Sequence, residues 1–296
     1  MQKFLNLIII ISIVSVLLFL HRRMLEKQAK MSEITDYSTI REILEEQRDD
    51  LAQSKKPIVW IHIPYEYNTR NWQSFGSRST YDLNQPYLYV TIQTIINKCA
   101  DKFRICIIDD TTFPKLIPDW KIDMNLISNP ISDKMRALGM VKLLYIYGGI
   151  NIPVSFLCMK DLELLYTKGT HDDKPFVCEN IDRNVTSSSF SFYPSIDFMG
   201  APRKNQTIME LMDFMQRTIS SDFTAASVFI GDFDRWIEGR IRDQRINVIS
   251  GSEIGVKDIN GEPVTVEQLM GNTPIKFSPN MIGIWIPAKE LLKRRK

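Results

Sequence analysis

The sequence predicts an α/β domain with an open sheet of parallel strands, preceded by one apolar N-terminal helix. Residues 58–63 and 103–108 are short apolar runs rich in β-branched side chains, which is typical of buried parallel strands. A helical stretch from about Pro86 to Cys99 joins them, so the segment is predicted to form a βαβ unit. A nearly unbroken apolar run also lies at the N-terminus, Phe4–Leu20.

The amino-acid composition argues against nucleic-acid binding, a zinc site and a disulfide-rich fold. The chain has 296 residues, 44% of them hydrophobic and 24% charged, as expected of an ordinary folded protein. Its 37 basic and 35 acidic residues nearly cancel, so no nucleic-acid partner is expected. The 4 cysteines are widely spaced without a CxxC pair, which indicates neither a zinc site nor a dense disulfide framework.

The N-terminal run predicts a single-pass membrane anchor over residues 1–23. No small-x-small cleavage site follows Phe4–Leu20, which favours an uncleaved anchor over a signal peptide. The run is slightly short for the hydrocarbon core, but Arg22 and Arg23 can extend their charged ends to the interface. The basic flank, which Lys27 and Lys30 continue, places the domain in the cytosol by the positive-inside rule.

Residues 24–56 are predicted to form a polar, helical stalk. Thr39 and Glu42 make a capping box, with Ile40, Ile43 and Leu44 at helical spacing behind it. The segment holds only about two heptads, which favours a spacer helix over a dimerising coiled coil. The remaining residues, 57–296, are predicted to be one domain.

The second predicted strand ends in Asp109 and Asp110. In open α/β sheets ligands bind beyond the carboxyl ends of the strands, so both acids are candidates to meet a ribose hydroxyl or a base. Asp is equally common in a turn with a helix cap, and the residues alone leave the two interpretations open.

A helix is predicted from Asn129-Pro130 or Ser132-Asp133 to the Gly148-Gly149 pair, since glycine tolerates the left-handed backbone at a helix end. Its apolar residues run all round, so we expect it to be buried, and Arg136 then needs a partner. Asp133, three residues earlier, can supply one. The alternative is a guanidinium that faces a phosphate.

The run Ser132-Asp133-x-x-Arg136, continuing through Leu144-Tyr145-x-Tyr147-Gly148-Gly149-Ile150, resembles the core signature of a sugar-transferase family with an Asp-x-Asp motif. Its members include initiating mannosyltransferases and capsular-polysaccharide glycosyltransferases. Residues 58–72 and 198–202 resemble two further segments of that family, so the resemblance covers roughly residues 57–240.

The resemblance implies a GT-A (Rossmann-like) nucleotide-diphospho-sugar transferase fold and transfer of a sugar, with retention, from a nucleotide-sugar donor to a glycan or protein acceptor. It also implies a domain in the Golgi or ER lumen, opposite to the side that the basic flank favours. The candidate donor-binding residues are Asp109, Asp110, Asp133, Arg136, Gly148 and Gly149.

The chain departs from the family at the metal motif. Where the family has two aspartates that hold Mn²⁺ or Mg²⁺ against the diphosphate, this sequence has Pro153 and Ser155. We therefore expect no metal ligands there and no other cofactor. A cation would need carboxylates from elsewhere, for instance Asp172-Asp173 or Asp232 and Asp234.

Two functional hypotheses follow. The chain is a membrane-anchored glycosyltransferase that works by a metal-independent or altered route, or it is a catalytically inactive relative that serves as a membrane-tethered structural or interaction protein.

Further along, the sequence predicts a helix over 222–241, a hairpin turn over 259–262 and a last strand over 282–287. Trp285 in that strand is a weak candidate for a sugar contact and a better one for the core.

Overall fold

The structure is a computed structural model that describes residues 51, 54–63, 87–128, 130–181, 192–221 and 232–286. All of these lie in the compact unit Asp50–Lys296. The predicted anchor and nearly all of the predicted stalk lie outside the described residues. Within the described ranges, no helix combines the length and hydropathy that a membrane span requires.

The elements alternate between strands and helices along most of the chain. The strands are β1 Ile58–His62, β2 Arg104–Ile108, β3 Gly149–Asn151, β4 Phe156–Cys158, β5 Phe176–Glu179, β6 Pro194–Ala201, β7 Asn247–Ile249 and β8 Gly283–Trp285. The helices are α1 Tyr87–Cys99, α2 Phe113–Leu116, α3 Ile131–Tyr147, α4 Glu163–Gly169, α5 Gln206–Ser221, α6 Asp232–Arg242 and α7 Val266–Leu269.

The central sheet has the strand order β2-β1-β3-β6-β5-β7. β1 pairs in parallel with β2 and β3, and β5 pairs in parallel with β7, whereas β6 runs antiparallel to both of its neighbours. A small antiparallel sheet pairs β4 with β8. The predicted α/β class and the mostly parallel central sheet are therefore confirmed.

The predicted βαβ unit is present as β1, α1 and β2. β1 and β2 are adjacent and in register from Ile58 with Arg104 to His62 with Ile108. Both strands therefore end at the same edge of the sheet, which we call the carboxyl edge because β3 and β5 end there too. Ligand-binding side chains of open α/β sheets lie at such an edge.

The two faces of the sheet have different cores, because successive side chains of a strand point to opposite sides. Val59, Ile61 and Ile150 belong to the large apolar cluster on the face that α1 covers. Their neighbours Trp60 and Asn151 therefore point to the other face, where α3 packs on β1, β3 and β6.

The predicted helix end at Gly148-Gly149 is confirmed, and packing explains both glycines. Gly148 has φ 72° and Gly149 has φ 107°, which side chains disfavour. A Cβ on Gly149 would lie 2.0 Å from the carbonyl oxygen of Ile58. The Trp60 indole donates a 2.9 Å hydrogen bond to the Gly148 carbonyl and holds this turn against β1.

We expect Gly149→Ala to lower the free energy of unfolding by at least about 3 kcal/mol, since it adds a backbone clash to a left-handed φ. Gly239→Ala is the matched control. It lies inside α6 with open space around its missing Cβ, so the same change should stabilise the protein by about 0.5–1 kcal/mol. Chemical denaturation of both variants measures the difference, and equal effects would contradict this account of Gly149.

Candidate functional site

Asp110 follows β2 at the carboxyl edge and binds side chains from two other elements. The Nε of Arg136 in α3 donates to its Oδ1 at 3.0 Å, and the Nη2 donates to its Oδ2 at 2.9 Å. The Nη1 of Arg136 donates to Asp133 Oδ1 at 3.0 Å. The predicted pair of Arg136 with Asp133 is thus present, but the bidentate partner is Asp110, 26 residues away in sequence.

His62, the last residue of β1, completes this cluster. Its Nε2 lies 2.9 Å from Asp110 Oδ1. The imidazole stacks on the ring of Phe113, with centroids 5.3 Å apart and planes at 8°. The first residue of α2 therefore fixes the orientation of the histidine. We call His62, Asp110, Asp133 and Arg136 the edge cluster.

The charge of Asp110 depends on this cluster. Burial raises the pKa of its carboxyl, but hydrogen bonds from His62 and Arg136, and the charges of both, outweigh burial and lower the pKa to about 2. Burial likewise opposes the charge of Arg136, yet its hydrogen bonds to Asp110 raise the guanidinium pKa above its ordinary value. Asp110 is therefore a firmly ionised carboxylate.

Asp109 is the more buried of the two acids, and it forms hydrogen bonds within its own turn. Its Oδ1 accepts hydrogen bonds from the hydroxyls of Thr111 and Thr112, both at 2.7 Å. The Thr112 amide donates to the Asp109 carbonyl at 3.0 Å. Asp109 therefore stabilises the turn that leads into α2, which is one of the two interpretations that the sequence left open. Donor binding by Asp109 stays a prediction.

Residues 152–155 form a tight turn between β3 and β4. The Phe156 amide donates to the Pro153 carbonyl at 3.0 Å, and the Thr91 hydroxyl of α1 donates to the Val154 carbonyl at 2.6 Å. The Ser155 side chain is buried, with its residue 3% exposed. Neither Pro153 nor Ser155 presents a cation with a carboxylate.

Buried polar atoms without a hydrogen-bond partner occur close to this turn. They include both amide atoms of Asn151, the Ser155 hydroxyl and the Trp285 indole nitrogen. Asn151 points to the α3 face of the sheet, whereas Trp285 packs on Phe198 in the cluster of the α1 face. The sheet therefore lies between the Asn151 amide and the Trp285 indole. Trp285 is 3% exposed, which favours the core over a sugar contact.

The alternative carboxylates lie in different places. Asp172 and Asp173 precede β5, and Asn205, which follows β6, donates to the Asp173 carbonyl at 2.7 Å. Since β5 is parallel to β3 and β6 is antiparallel to it, both acids lie at the edge opposite the edge cluster. They therefore lie away from the turn at residues 153–155, which follows β3 at the carboxyl edge.

Asp234 accepts a 3.0 Å hydrogen bond from the Tyr193 hydroxyl, just before β6. The side chain of Asp232 lies outside the described residues. Across the part of the chain that the structure describes, no three His, Cys, Asp or Glu side chains come together as metal ligands would.

A cleft of about 340 Å³ opens beside the edge cluster. Asp110 and Thr111 line one side of it, and the loop after α2 lines the other. Its apolar wall comes from Pro114, Trp120 and Met124, and its polar groups include Lys121, Asp123 and Asn125. An apolar wall with a few polar groups is typical of a small-molecule site, and the volume falls within the usual range.

Sequence reasoning missed His62 and the loop 120–125. The sequence could have indicated His62, because this residue ends the strand that pairs in parallel with the strand before Asp109-Asp110. No local pattern could have indicated the loop, because its residues lie near Asp110 only through the tertiary fold. Gly148 and Gly149 belong to the β1 contact, and their predicted role with a donor stays a prediction.

No protein-family model and no curated protein matches the chain. Among solved structures, it is similar to a chain described as "PaToxG Glycosyltransferase", with 10% sequence identity and a TM-score of 0.37. The match covers 69% of this chain and 78% of the other. At that score it supports no functional conclusion.

Because the edge cluster lowers the pKa of Asp110, we expect the fold to become less stable at acid pH. The folded pKa of Asp110, about 2, is below the ordinary value of 3.8, so its charge stabilises the fold above about pH 4. That contribution, about 2 kcal/mol, should disappear as the pH falls from about 4 through 2. Asp110→Asn should lower the free energy of unfolding by about 2–4 kcal/mol at pH 7, since Arg136 stays half-buried without its bidentate partner.

Asp133→Asn is the matched control. The Asp133 side chain is 64% exposed, so this substitution should lower the free energy of unfolding by about 1 kcal/mol or less. Urea denaturation at pH 7, 4 and 3 measures both effects. If Asp110→Asn retained the full acid dependence of the unsubstituted protein, the assignment to Asp110 would be wrong.

Proposed function

We propose that the domain binds a nucleotide-diphosphate sugar at the carboxyl edge and transfers the sugar to a glycan or protein acceptor by a route that needs no metal at residues 153–155. The apolar N-terminal run would tether the domain to a membrane. The resemblance around residues 132–150 suggests the class of donor, and the cleft beside the edge cluster is the observation that carries the proposal.

The cleft offers complementary groups for such a donor. Trp120, Pro114 and Met124 provide apolar surface for a base or a sugar ring. Lys121, an exposed cation at the cleft, can offset part of the diphosphate charge that a metal would otherwise neutralise. Thr111 and Asn125 can exchange hydrogen bonds with hydroxyl groups.

The edge cluster has a positioning role in this proposal. Arg136 keeps Asp110 ionised and in place through its two-pronged contact, and His62 braces the same carboxylate from β1. Asp110 therefore keeps a fixed orientation at the lining of the cleft, where its carboxylate can accept a further hydrogen bond from a ribose or sugar hydroxyl.

A second candidate function is favoured by the same contacts. The Arg136 guanidinium already binds Asp110 and Asp133, and these two carboxylates offset its charge, which weakens its attraction for a phosphate. Together with the buried Ser155, this favours an inactive relative that retains the fold for binding or interaction.

Donor binding is tested by titrating the full-length chain in detergent with UDP- and GDP-sugars, and following the melting temperature or the heat of binding. We expect one donor class to bind equally well with EDTA and with Mn²⁺, because no carboxylate stands at positions 153 and 155. Lys121→Ala should weaken binding roughly tenfold through loss of one phosphate contact.

Lys98→Ala is the matched control. Lys98 is an exposed lysine in the last turn of α1, and α1 runs from the carboxyl edge to the opposite edge before β2. It should bind the donor as the unsubstituted chain does. Binding of no nucleotide sugar under either condition would overturn the proposal.

Turnover separates the two candidates. Release of free nucleotide from the bound donor, with or without added oligosaccharide, is expected of a transferase and can be followed by chromatography. Binding without any release would favour the inactive relative, and strict dependence of binding on Mn²⁺ would contradict the metal-independent route.

A further inference from the structure

Two cysteines that the proposed function does not use meet in the core. Cys99 is the last residue of α1, and Cys158 is the last residue of β4. Their Sγ atoms lie 3.7 Å apart, although the residues are 59 positions apart in sequence. Both residues are buried, at 0% and 2% exposure.

The backbone around the pair is held in place without the sulphurs. The Thr91 hydroxyl donates to the Val154 carbonyl at 2.6 Å, and the Cys158 amide donates to the Thr94 hydroxyl at 3.0 Å. α1 is therefore aligned with residues 154–158 by hydrogen bonds one and two turns before Cys99. The approach of the two thiols follows from that alignment.

The other two cysteines provide a contrast within the same chain. Cys106 and Cys178 are as deeply buried, and no disulfide joins any of the four in this structure. Burial raises the pKa of Cys106 to about 12 and that of Cys178 above its usual range, as for inert core thiols. The hydrogen bond between Cys99 and Cys158 instead lowers the pKa of the first thiol and raises that of the second.

We propose that Cys99 and Cys158 form a disulfide when the domain folds in an oxidising compartment. The S–S bond of about 2.05 Å requires the sulphurs to approach by less than 2 Å, which rotation about the two Cα–Cβ bonds can provide. The bond would close α1 onto β4 and fix the turn that carries Pro153 and Ser155.

The oxidation balances with a low-molecular-weight disulfide such as glutathione disulfide. One protein thiolate attacks the glutathione disulfide, which releases one glutathione thiolate and leaves a mixed disulfide on the protein. The second protein thiolate then displaces the second glutathione. Two thiol protons leave and two electrons pass to glutathione in total. The exchange precedes the docking of α1, since both sulphurs are buried afterwards.

The test synthesises the full-length chain by cell-free translation into detergent micelles, in glutathione buffers with either the disulfide or the thiol form in excess. The product is denatured and its free thiols are counted by maleimide labelling and intact mass. We expect two labelled thiols after folding in the oxidising buffer and all 4 in the reducing buffer. Peptide mapping should find Cys99 linked to Cys158.

The variants make the assignment specific. Cys99→Ala should carry three labelled thiols in both buffers, whereas Cys178→Ala should carry one in the oxidising buffer and three in the reducing buffer. The oxidised chain should melt roughly 5–10 °C higher than the reduced chain, and Cys99→Ala should lose that difference. Full labelling in the oxidising buffer, or a linked peptide that contains Cys106 or Cys178, would overturn the proposal. None of these outcomes depends on donor binding.

Discussion

The contact between Arg136 and Asp110 is the interaction on which the carboxyl edge of this domain depends. It joins the first turns of α3 to the end of β2, and His62 brings the end of β1 to the same carboxylate. Burial opposes both charges of this half-buried ion pair, but the hydrogen bonds and the opposite charges outweigh that cost at Asp110. The geometry of the pair also fixes three elements to one another, since bidentate contacts tolerate little reorientation.

This arrangement shapes what the site can do. In the family that the sequence resembles, a metal ion offsets the charge of the donor diphosphate. Here the turn at 153–155 supplies no carboxylate, and the nearby guanidinium is already neutralised by Asp110 and Asp133. In the proposed function, Lys121 at the cleft beside Asp110 offsets part of that charge. The two candidate functions both use this cleft and differ in turnover.

The other side of the sheet holds the turn at 153–155 by different means. α1 contacts the turn through the Thr91 hydroxyl, binds the Cys158 amide of β4 through the Thr94 hydroxyl, and brings Cys99 to Cys158. The turn is therefore supported by a hydrogen bond from α1 and continues into the antiparallel β4–β8 pair. These contacts hold the turn at Pro153 and Ser155 without a metal ion.

The sequence by itself determined the α/β class, β1, α1 and β2, and the helix that ends at Gly148-Gly149. Those features rest on local periodicity and on the backbone freedom of glycine, which neighbouring residues suffice to reveal. It also predicted that Arg136 needs a partner and named Asp133. Tertiary structure alone decided that Asp110 is the bidentate partner, that His62 joins it, and that the loop 120–125 forms the cleft. The reason is physical: parallel strands and a helix bring residues dozens of positions apart to one sheet edge, and no local pattern encodes which of them meet.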